Sequence, residues 1–419
     1  MKRTAVVSPH SQCEKFRVCF TDPIGVFSVH KKIFLSAFTI GSIVSAGAMA
    51  QPDADHTASH CVEAVLTGVG GPAPQHGKAQ SGIFVRYGPV EAGCDGVRLQ
   101  FDAGRGTLMR LSQIATSTPP RFVTPQSLDA LFLTHGHSDH TSALPDIIST
   151  RWVLSKNDGQ FASSPPPAGR YTPLPVICFD ETCATAKHAT RMWERHEIPG
   201  RQKKDFRATK PRADIKKFST RSADPQLVWA MDDVSVFAVA VEHIEGSVGY
   251  KVETPAGDVC ISGDTNVSMA LIEMCDGVDV MIHDTAHPVL AALEASPPAN
   301  ADPKFLQIVN NVFTSHTSAS DLSVYNGRVS TMILNHLTPG VGAGGFQGVP
   351  LIPYLNKMNP GRRKGPLSVA DYCSALRVGG YVGAAYVGAD LMTIRIEDGD
   401  TMISTPTDSD SVCREIAVQ

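Results

Sequence analysis

The feature that most constrains this chain is the run LFLTHGHSDH at residues 131–140. An apolar stretch typical of a buried strand ends there, and His135, His137, Asp139 and His140 follow within six positions. Imidazole and carboxylate ligands without a thiolate are typical of a catalytic rather than a structural zinc site. The fold must therefore bring the end of a buried strand to an open edge where ligands can converge.

Three more polar residues stand at or just after apolar runs later in the chain: His243 in VEHIEG, Asp264 in ISGDT and His336 in LNHLTP. Loops at strand ends commonly carry functional residues, so these side chains are expected at the same edge. Seven ligands are too many for one tetrahedral ion and suit two ions that share a carboxylate. In such a site, with ions about 3.5–4 Å apart, a bridging hydroxide attacks a phosphorus, sulfur or carbonyl centre.

The order of apolar runs predicts an α+β fold. Hydrophobic residues make up 42% of the 419 positions and charged residues 19%, which is an ordinary globular composition. Strands are predicted in each half of the chain, with helices between or after them, so two sheets packed face to face under outer helices would fit. The predicted helices are RGTLMRLSQI, SALPDIISTRWVL, residues 178–200, and segments near 288–295 and 318–329.

The N-terminal segment indicates export. Residues 31–50, KKIFLSAFTIGSIVSAGAMA, combine two lysines, an apolar stretch and small residues, as a secretory signal peptide does. The stretch is too short for a good membrane span, so we expect a periplasmic or secreted protein without a stable membrane anchor. Residues 1–50 are expected to be an upstream extension and signal peptide that are removed, and 51–60 a flexible mature N-terminus. Residues 61–400 are expected to form one catalytic domain with an inserted loop or helical arm at about 151–230, and 401–419 a C-terminal tail.

Cysteines and charge narrow the chemistry further. Eight cysteines follow residue 50, and an oxidising compartment would allow disulfides among them. Cys178 and Cys183 are close enough in sequence to pair, but the sequence leaves the pairing open. The net charge of −4 argues against a dedicated nucleic-acid binder. The basic run 201–217 is interpreted as a solvated face, with a grip on an anionic substrate as the alternative.

The sequence resembles the metallo-β-lactamase superfamily, in the branch that contains tRNase Z and the zinc-dependent arylsulfatases. The resemblance spans residues 66–340 and rests on LTGVGGPAP, FDAGRGT, LFLTHGHSDHTSALPDI, VEHIEGSVGY, ISGDT, IHDTAH, SHTSASD and LNHLTP. It implies a four-layered αββα sandwich with two Zn²⁺ ions at one edge, Mn²⁺ or Fe²⁺ being open alternatives. The implied ligands are His135, His137 and His243 for the first ion, Asp139, His140 and His336 for the second, and Asp264 between them.

The resemblance also implies roles beside the metals. His316, in SHTSASD, would face the substrate and assist charge stabilisation or proton transfer at the leaving group. Asp284, in HDTAH, matches the position of a family glutamate and would orient a metal-bound histidine or act directly. Asp139 is counted with these two among the expected catalytic residues. Asp102 is expected close to the metal edge, hydrogen-bonded to a ligand.

The first functional expectation is an exported binuclear zinc hydrolase in which a metal-bridging hydroxide attacks a small aryl sulfate or related ester. The HTSASD form, the export pattern and the ending VGADLMTIRI favour it. The alternatives are a tRNase Z-like phosphodiesterase or 3′ endoribonuclease, and a lactone hydrolase. The loop GPAPQHGKAQSG lacks the Arg-Asn of the tRNase Z pattern, which argues against a nucleic-acid partner. A homodimer is a further expectation, because homologues often dimerise.

The remaining hypothesis is a non-catalytic or redox protein that has kept the fold. The complete ligand set argues against a non-catalytic relative, and nothing in the sequence supports the flavin partner domain that a redox protein would need.

Overall fold

The central strands are buried on both faces, which explains why they are continuous apolar runs in the sequence. In the computed structural model, residues 59–117, 119–155, 171–204, 209–219, 224–405 and 411–413 are described. The predicted signal peptide and most of the predicted flexible N-terminus lie outside these residues. No helix within the described ranges has the length and hydropathy that a membrane crossing requires.

Seventeen strands and ten α-helices are described. The strands are β1 (His60–Gly68), β2 (Gly82–Pro89), β3 (Val97–Phe101), β4 (Ala130–Phe132), β5 (Leu174–Phe179), β6 (Ala213–Phe218), β7 (Gln226–Met231), β8 (Val234–Ala240), β9 (Val248–Glu253), β10 (Val259–Ile261), β11 (Val278–Ala286), β12 (Val329–Thr338), β13 (Gly345–Phe346), β14 (Val349–Pro350), β15 (Ala384–Val387), β16 (Thr393–Glu397) and β17 (Asp400–Ser404). The helices are α1 (Thr107–Leu111), α2 (Ser138–Thr141), α3 (Leu144–Val153), α4 (Asp180–His188), α5 (Glu197–Lys204), α6 (Met269–Met274), α7 (Val289–Ala295), α8 (Pro303–Ser315), α9 (Ile352–Met358) and α10 (Val369–Val378).

The strands form two large mixed sheets and one small hairpin. The larger sheet has the order β17-β16-β1-β2-β3-β4-β5-β6, and the second has the order β15-β12-β11-β10-β9-β8-β7. In each sheet the strands next to the site, β3 to β5 and β10 to β12, run parallel. Because parallel strands end at the same edge, the loops that follow them meet there.

Three apolar clusters separate four layers. One lies between the sheets and takes residues such as Phe101 and Phe132 from the first sheet and Tyr250 and Ile282 from the second. The other two lie outside, where α1, α3 and α4 cover the larger sheet and α6 to α10 cover the smaller one. The predicted α+β fold, a four-layered αββα sandwich, is confirmed.

Parts of the expected arm and tail belong to the sheets. Within about 151–230 the structure has α4 and α5, but β5 and β6 extend the larger sheet and β7 ends the smaller one. The end of the basic run forms β6, an edge strand on which Lys216 pairs with Asp214 and Lys217 with Asp180. Exposed lysines are a common way to keep an edge strand from pairing with another chain. At the C-terminus, β17 pairs with β16.

All cysteines of the described residues are paired. The disulfides are Cys61–Cys94, Cys178–Cys183, Cys260–Cys275 and Cys373–Cys413. The Cys260–Cys275 bridge encloses the turn that carries Asp264, and the Cys178–Cys183 bridge joins the end of β5 to α4.

Removing these bridges should destabilise the fold in the order of the loops they close. The Cys373–Cys413 bridge spans 40 residues, so replacing both cysteines by serine should lower the free energy of unfolding by about 4 kcal/mol. The same change at Cys178 and Cys183, five residues apart, should lower it by about 2 kcal/mol. Urea unfolding measures both values, and equal losses or free thiols in the unreduced protein would contradict the pairing.

Candidate metal centre

The site begins where β4 ends, between the two sheets. The chain leaves β4 through Thr134 and His135, turns at Gly136, and enters the short helix α2 with Asp139 and His140 on its first turns. His135, Asp139 and His140 are buried, whereas His137 remains exposed at the mouth. The short helix therefore folds the histidine-rich run back on itself, so that side chains adjacent in sequence point at one spot.

A first cluster joins His135, His137 and His243 to Asp264. His137 Nδ1 lies 2.9 Å from His135 Nε2 and 3.2 Å from His243 Nε2. Asp264 Oδ2 is 3.7 Å from His135 Nε2 and 3.8 Å from His243 Nε2. This is the set that the resemblance implied for the first ion.

A second cluster joins Asp139, His140 and His336 to the same Asp264. His336 Nε2 lies 3.1 Å from Asp139 Oδ2 and 3.5 Å from Asp264 Oδ2. His140 Nε2 lies 3.2 Å from Asp264 Oδ1. The structure thus brings all seven expected ligands together and places Asp264 in both sets.

The unpaired atoms of these clusters fit bound divalent ions. His140 Nε2 and Asp264 Oδ1 are buried and have no hydrogen-bond partner among the described residues. Burial lowers the pKa of His135 well below its usual range. Burial alone would raise the pKa of Asp264, but His140 and His336 hold the pKa of that carboxyl well below its usual range. Neutral imidazole and ionised carboxylate are the states that bind metal, and an unpaired buried carboxylate would be costly without a cation.

Outer groups fix the orientation of two ligand rings. Asp102 Oδ2 accepts a hydrogen bond from His140 Nδ1 at 2.7 Å, and Asp102 is itself held by the backbone N–H and the hydroxyl of Thr134, each at 2.8 Å. The carbonyl of Ser315 accepts from His243 Nδ1 at 2.8 Å. Such partners leave the other ring nitrogen free for a metal. The structure places Asp102 where the sequence suggested, while Thr134 and Ser315 were not predicted.

Local backbone distortions aim the ligands. His336 has φ 45°, where β12 carries an extra residue relative to β11, so Asp284 pairs with Asn335 but Ala286 pairs with Thr338. A bulge of this kind redirects a side chain near an active site. Gly104 approaches the carbonyl of Asp139 so closely that a Cβ would lie 2.2 Å from it.

His316 and Asp284 form a pair beside the clusters. His316 follows α8, and its Nδ1 lies 2.9 Å from Asp284 Oδ2 and 4.0 Å from Asp264 Oδ2. Its ring lies between those of His243 and His336, with centroids 5.2 and 5.3 Å away. Burial alone would lower the pKa of His316, but the hydrogen bond to Asp284 outweighs burial and raises it. Asp284 also contacts His283 Nδ1 at 3.2 Å.

Two clefts open beside the centre. The loop cleft, about 450 Å³, is lined by residues of the 70–80 loop with Arg105, Gly106, Met109 and Arg110, and Gly71 packs against the ring of His336. The acidic cleft, about 530 Å³, is lined by Phe179, Asp180 and residues 240–247, which include His243. Both volumes fall in the range of small-molecule sites.

Comparison with known proteins fits this geometry. A family profile described as "Beta-lactamase superfamily domain" matches residues 98–289, which contain six of the seven clustered residues, all except His336. This part of the chain is thus similar to a beta-lactamase superfamily domain. It is also 27% identical to the protein named "Ribonuclease Z" of Mycolicibacterium paratuberculosis over 289 residues, 68% of this chain and 88% of that protein. The Ribonuclease Z of Mycolicibacterium gilvum is 26% identical over 283 residues, 66% of this chain and 85% of that protein.

Solved structures are more distant in sequence. The metallo-beta-lactamase fold protein YhfI from Bacillus subtilis has a TM-score of 0.48 and 14% identity, over 80% of this chain and 99% of its own. Human tRNase Z, short form, has a TM-score of 0.44 and 16% identity, over 66% of this chain and 92% of its own.

Asp139→Ala should remove one of two bound ions. Asp139 contacts only the second cluster, so the first keeps its three histidines and Asp264. Metal analysis of the purified variant should give one equivalent less than the parent chain. Asp146→Ala, an exposed carboxylate on the first turn of α3, is the matched control and should keep the parent stoichiometry. Loss of all metal, or of none, would contradict the assignment.

Proposed function

We propose that this chain is a metal-dependent phosphodiesterase that holds two ions. The observation that carries the proposal is that two ligand clusters share the buried carboxylate of Asp264. Sites that hold two metal ions serve displacement at phosphorus in phosphatases and nucleases. The curated relatives are named Ribonuclease Z, so they favour the phosphodiester alternative over the aryl sulfate that the sequence suggested first.

The ligands and their outer partners would set up the reaction. His135, His137 and His243 would hold one ion, Asp139, His140 and His336 the other, and Asp264 both. Zn²⁺ at these positions would polarise the scissile group and lower the pKa of water. Asp102 keeps His140 in the tautomer whose Nε2 faces the centre, and buried walls exclude bulk water from the carboxylates.

His316 would act on the leaving group. Asp284 accepts the Nδ1–H of His316, which leaves Nε2 as the nitrogen that gives its proton to the departing oxygen. The His316 ring stacks on the ring of His336, so it stands at the rim of the second cluster. Asp284 is a positioning residue in this account, because it fixes the ring and favours its protonated form.

We also propose that the protein acts outside the cytoplasm, in the periplasm or after secretion. The support is the signal-like segment 31–50 together with the four disulfides, which are typical of oxidising compartments. Recovery of the full-length, reduced chain from the cytoplasmic fraction of its native cell would contradict this.

A substrate panel tests the proposed reaction. Zinc-loaded protein is assayed with bis(p-nitrophenyl) phosphate, p-nitrophenyl sulfate and an acyl homoserine lactone. The phosphate diester should have the highest kcat/KM, and Asp264→Ala should abolish its hydrolysis. Asp276→Ala, an exposed carboxylate paired with Arg328, is the control and should keep the parent rate. Faster turnover of the sulfate or the lactone would replace the proposed substrate class.

His316→Ala should reveal the proton donor through the leaving group. With an alkoxide leaving group, which needs a proton, kcat should fall by about 10²–10⁴-fold. With p-nitrophenolate, which leaves without one, the fall should be much smaller. Asp284→Asn should reproduce the same dependence more weakly. An equal loss for both leaving groups would show that His316 only supports the structure.

A further inference from the structure

The loop cleft is positively charged and contains no carboxylate among its lining residues. Its cationic side chains are Lys78, Arg105 and Arg110. Arg110 is neutralised by Asp390, whose Oδ2 lies 3.0 Å from Nε and 2.9 Å from Nη2. Lys78 and Arg105 have no ion-pair partner among the described residues, so two positive charges face the cleft uncompensated.

The 70–80 loop is held rigidly in place. Asp390 accepts hydrogen bonds from the backbone N–H of Val69 at 3.2 Å and of Ala79 at 2.7 Å, so one carboxylate ties both ends of the loop. Arg110 donates to the carbonyl of Gly77 at 2.8 Å. The cleft therefore exists before a ligand arrives, which reduces the ordering that binding requires.

The same loop reaches the metal centre. A Cβ on Gly71 would lie 3.1 Å from Cε1 of His336, so the backbone there touches a ligand of the second cluster. Gln75 approaches Gly340, four residues after His336, more closely still, since a Cβ there would lie 1.9 Å from Gln75 Oε1. A substrate held at the second cluster would thus have its next group directly over the loop cleft.

The acidic cleft has the opposite charge. Its lining includes Asp180, Glu242 and Glu245, and it begins at His243 of the first cluster. Lys217 compensates Asp180, but Glu242 and Glu245 have no ion-pair partner among the described residues. An anionic group is disfavoured there, since like charges repel.

We propose that the loop cleft binds a second anionic group of the substrate, through Lys78 and Arg105. The preferred substrate would then be a phosphodiester that carries a further phosphate, as a nucleotide does, and the acidic cleft would receive its uncharged side. This deepens the phosphodiesterase proposal and rests on it. The sequence offered the 201–217 run only as an alternative grip for an anion, and the loop cleft is formed instead by residues between 70 and 110.

A matched substrate pair tests the inference. Thymidine 5′-(p-nitrophenyl phosphate) is compared with the same compound carrying a 3′-phosphate, so the scissile bond is identical. The parent chain should favour the phosphorylated compound in kcat/KM, mainly through KM. Lys78→Ala and Arg105→Ala should each reduce that preference by about three- to tenfold, as loss of one exposed charge pair does, by raising KM for the compound that carries the 3′-phosphate. Lys216→Ala, an exposed lysine of β6, should leave the preference unchanged.

The outcomes separate this inference from the reaction. Equal kcat/KM for both compounds, or a preference that survives both substitutions, would overturn the cleft assignment and leave the phosphodiesterase intact. If neither compound is hydrolysed, calorimetry with thymidine 3′,5′-bisphosphate and thymidine 5′-monophosphate decides. Tighter binding of the bisphosphate that depends on Lys78 and Arg105 would support the cleft while the reaction fails, and equal binding would overturn both.

Discussion

The site depends on one buried carboxylate, that of Asp264. It is surrounded by six other coordinating side chains, and one of its oxygens has no protein donor. Transfer of a carboxylate from water to the protein interior without a compensating cation costs several kcal/mol. Four imidazoles each place one nitrogen 3.2–3.8 Å from this carboxylate, so the nitrogens of both clusters converge on Asp264.

Both sheets are needed to bring these side chains together. His135 and its neighbours come from the larger sheet, whereas His243, Asp264 and His336 come from the smaller one. A shift between the sheets would separate the two halves of the site. Tyr250 opposes such a shift, since its hydroxyl crosses the core to the carbonyl of Leu133 at 2.7 Å, two residues before His135. The Cys260–Cys275 bridge restrains the turn that bears Asp264 in the same way.

The sequence indicated which seven residues converge, because each stands at or just after an apolar run, a signal that is local. It predicted less of what surrounds them. Helix α8, which ends just before His316, was not predicted, although Asp302 as its cap and Pro303 at its first position are helix-start signals. The carbonyl of Ser315 has no side-chain signal at all. Asp390 holds a loop whose Ala79 is 311 residues away in sequence, so no local pattern predicts that contact. Strand β6 overlaps a basic run and lacks the apolar pattern that predicts a strand.

The charges around the centre differ between the two clefts. Cationic side chains line the cleft next to His336, and carboxylates line the cleft that begins at His243. These charges flank a carboxylate, that of Asp264, which we propose joins two ions. Anomalous diffraction from crystals grown with zinc tests that claim most directly. Two peaks about 3.5–4 Å apart are expected, one on each side of Asp264, and each should contact an oxygen of its carboxylate. A single peak, or two peaks of which only one contacts Asp264, would contradict it.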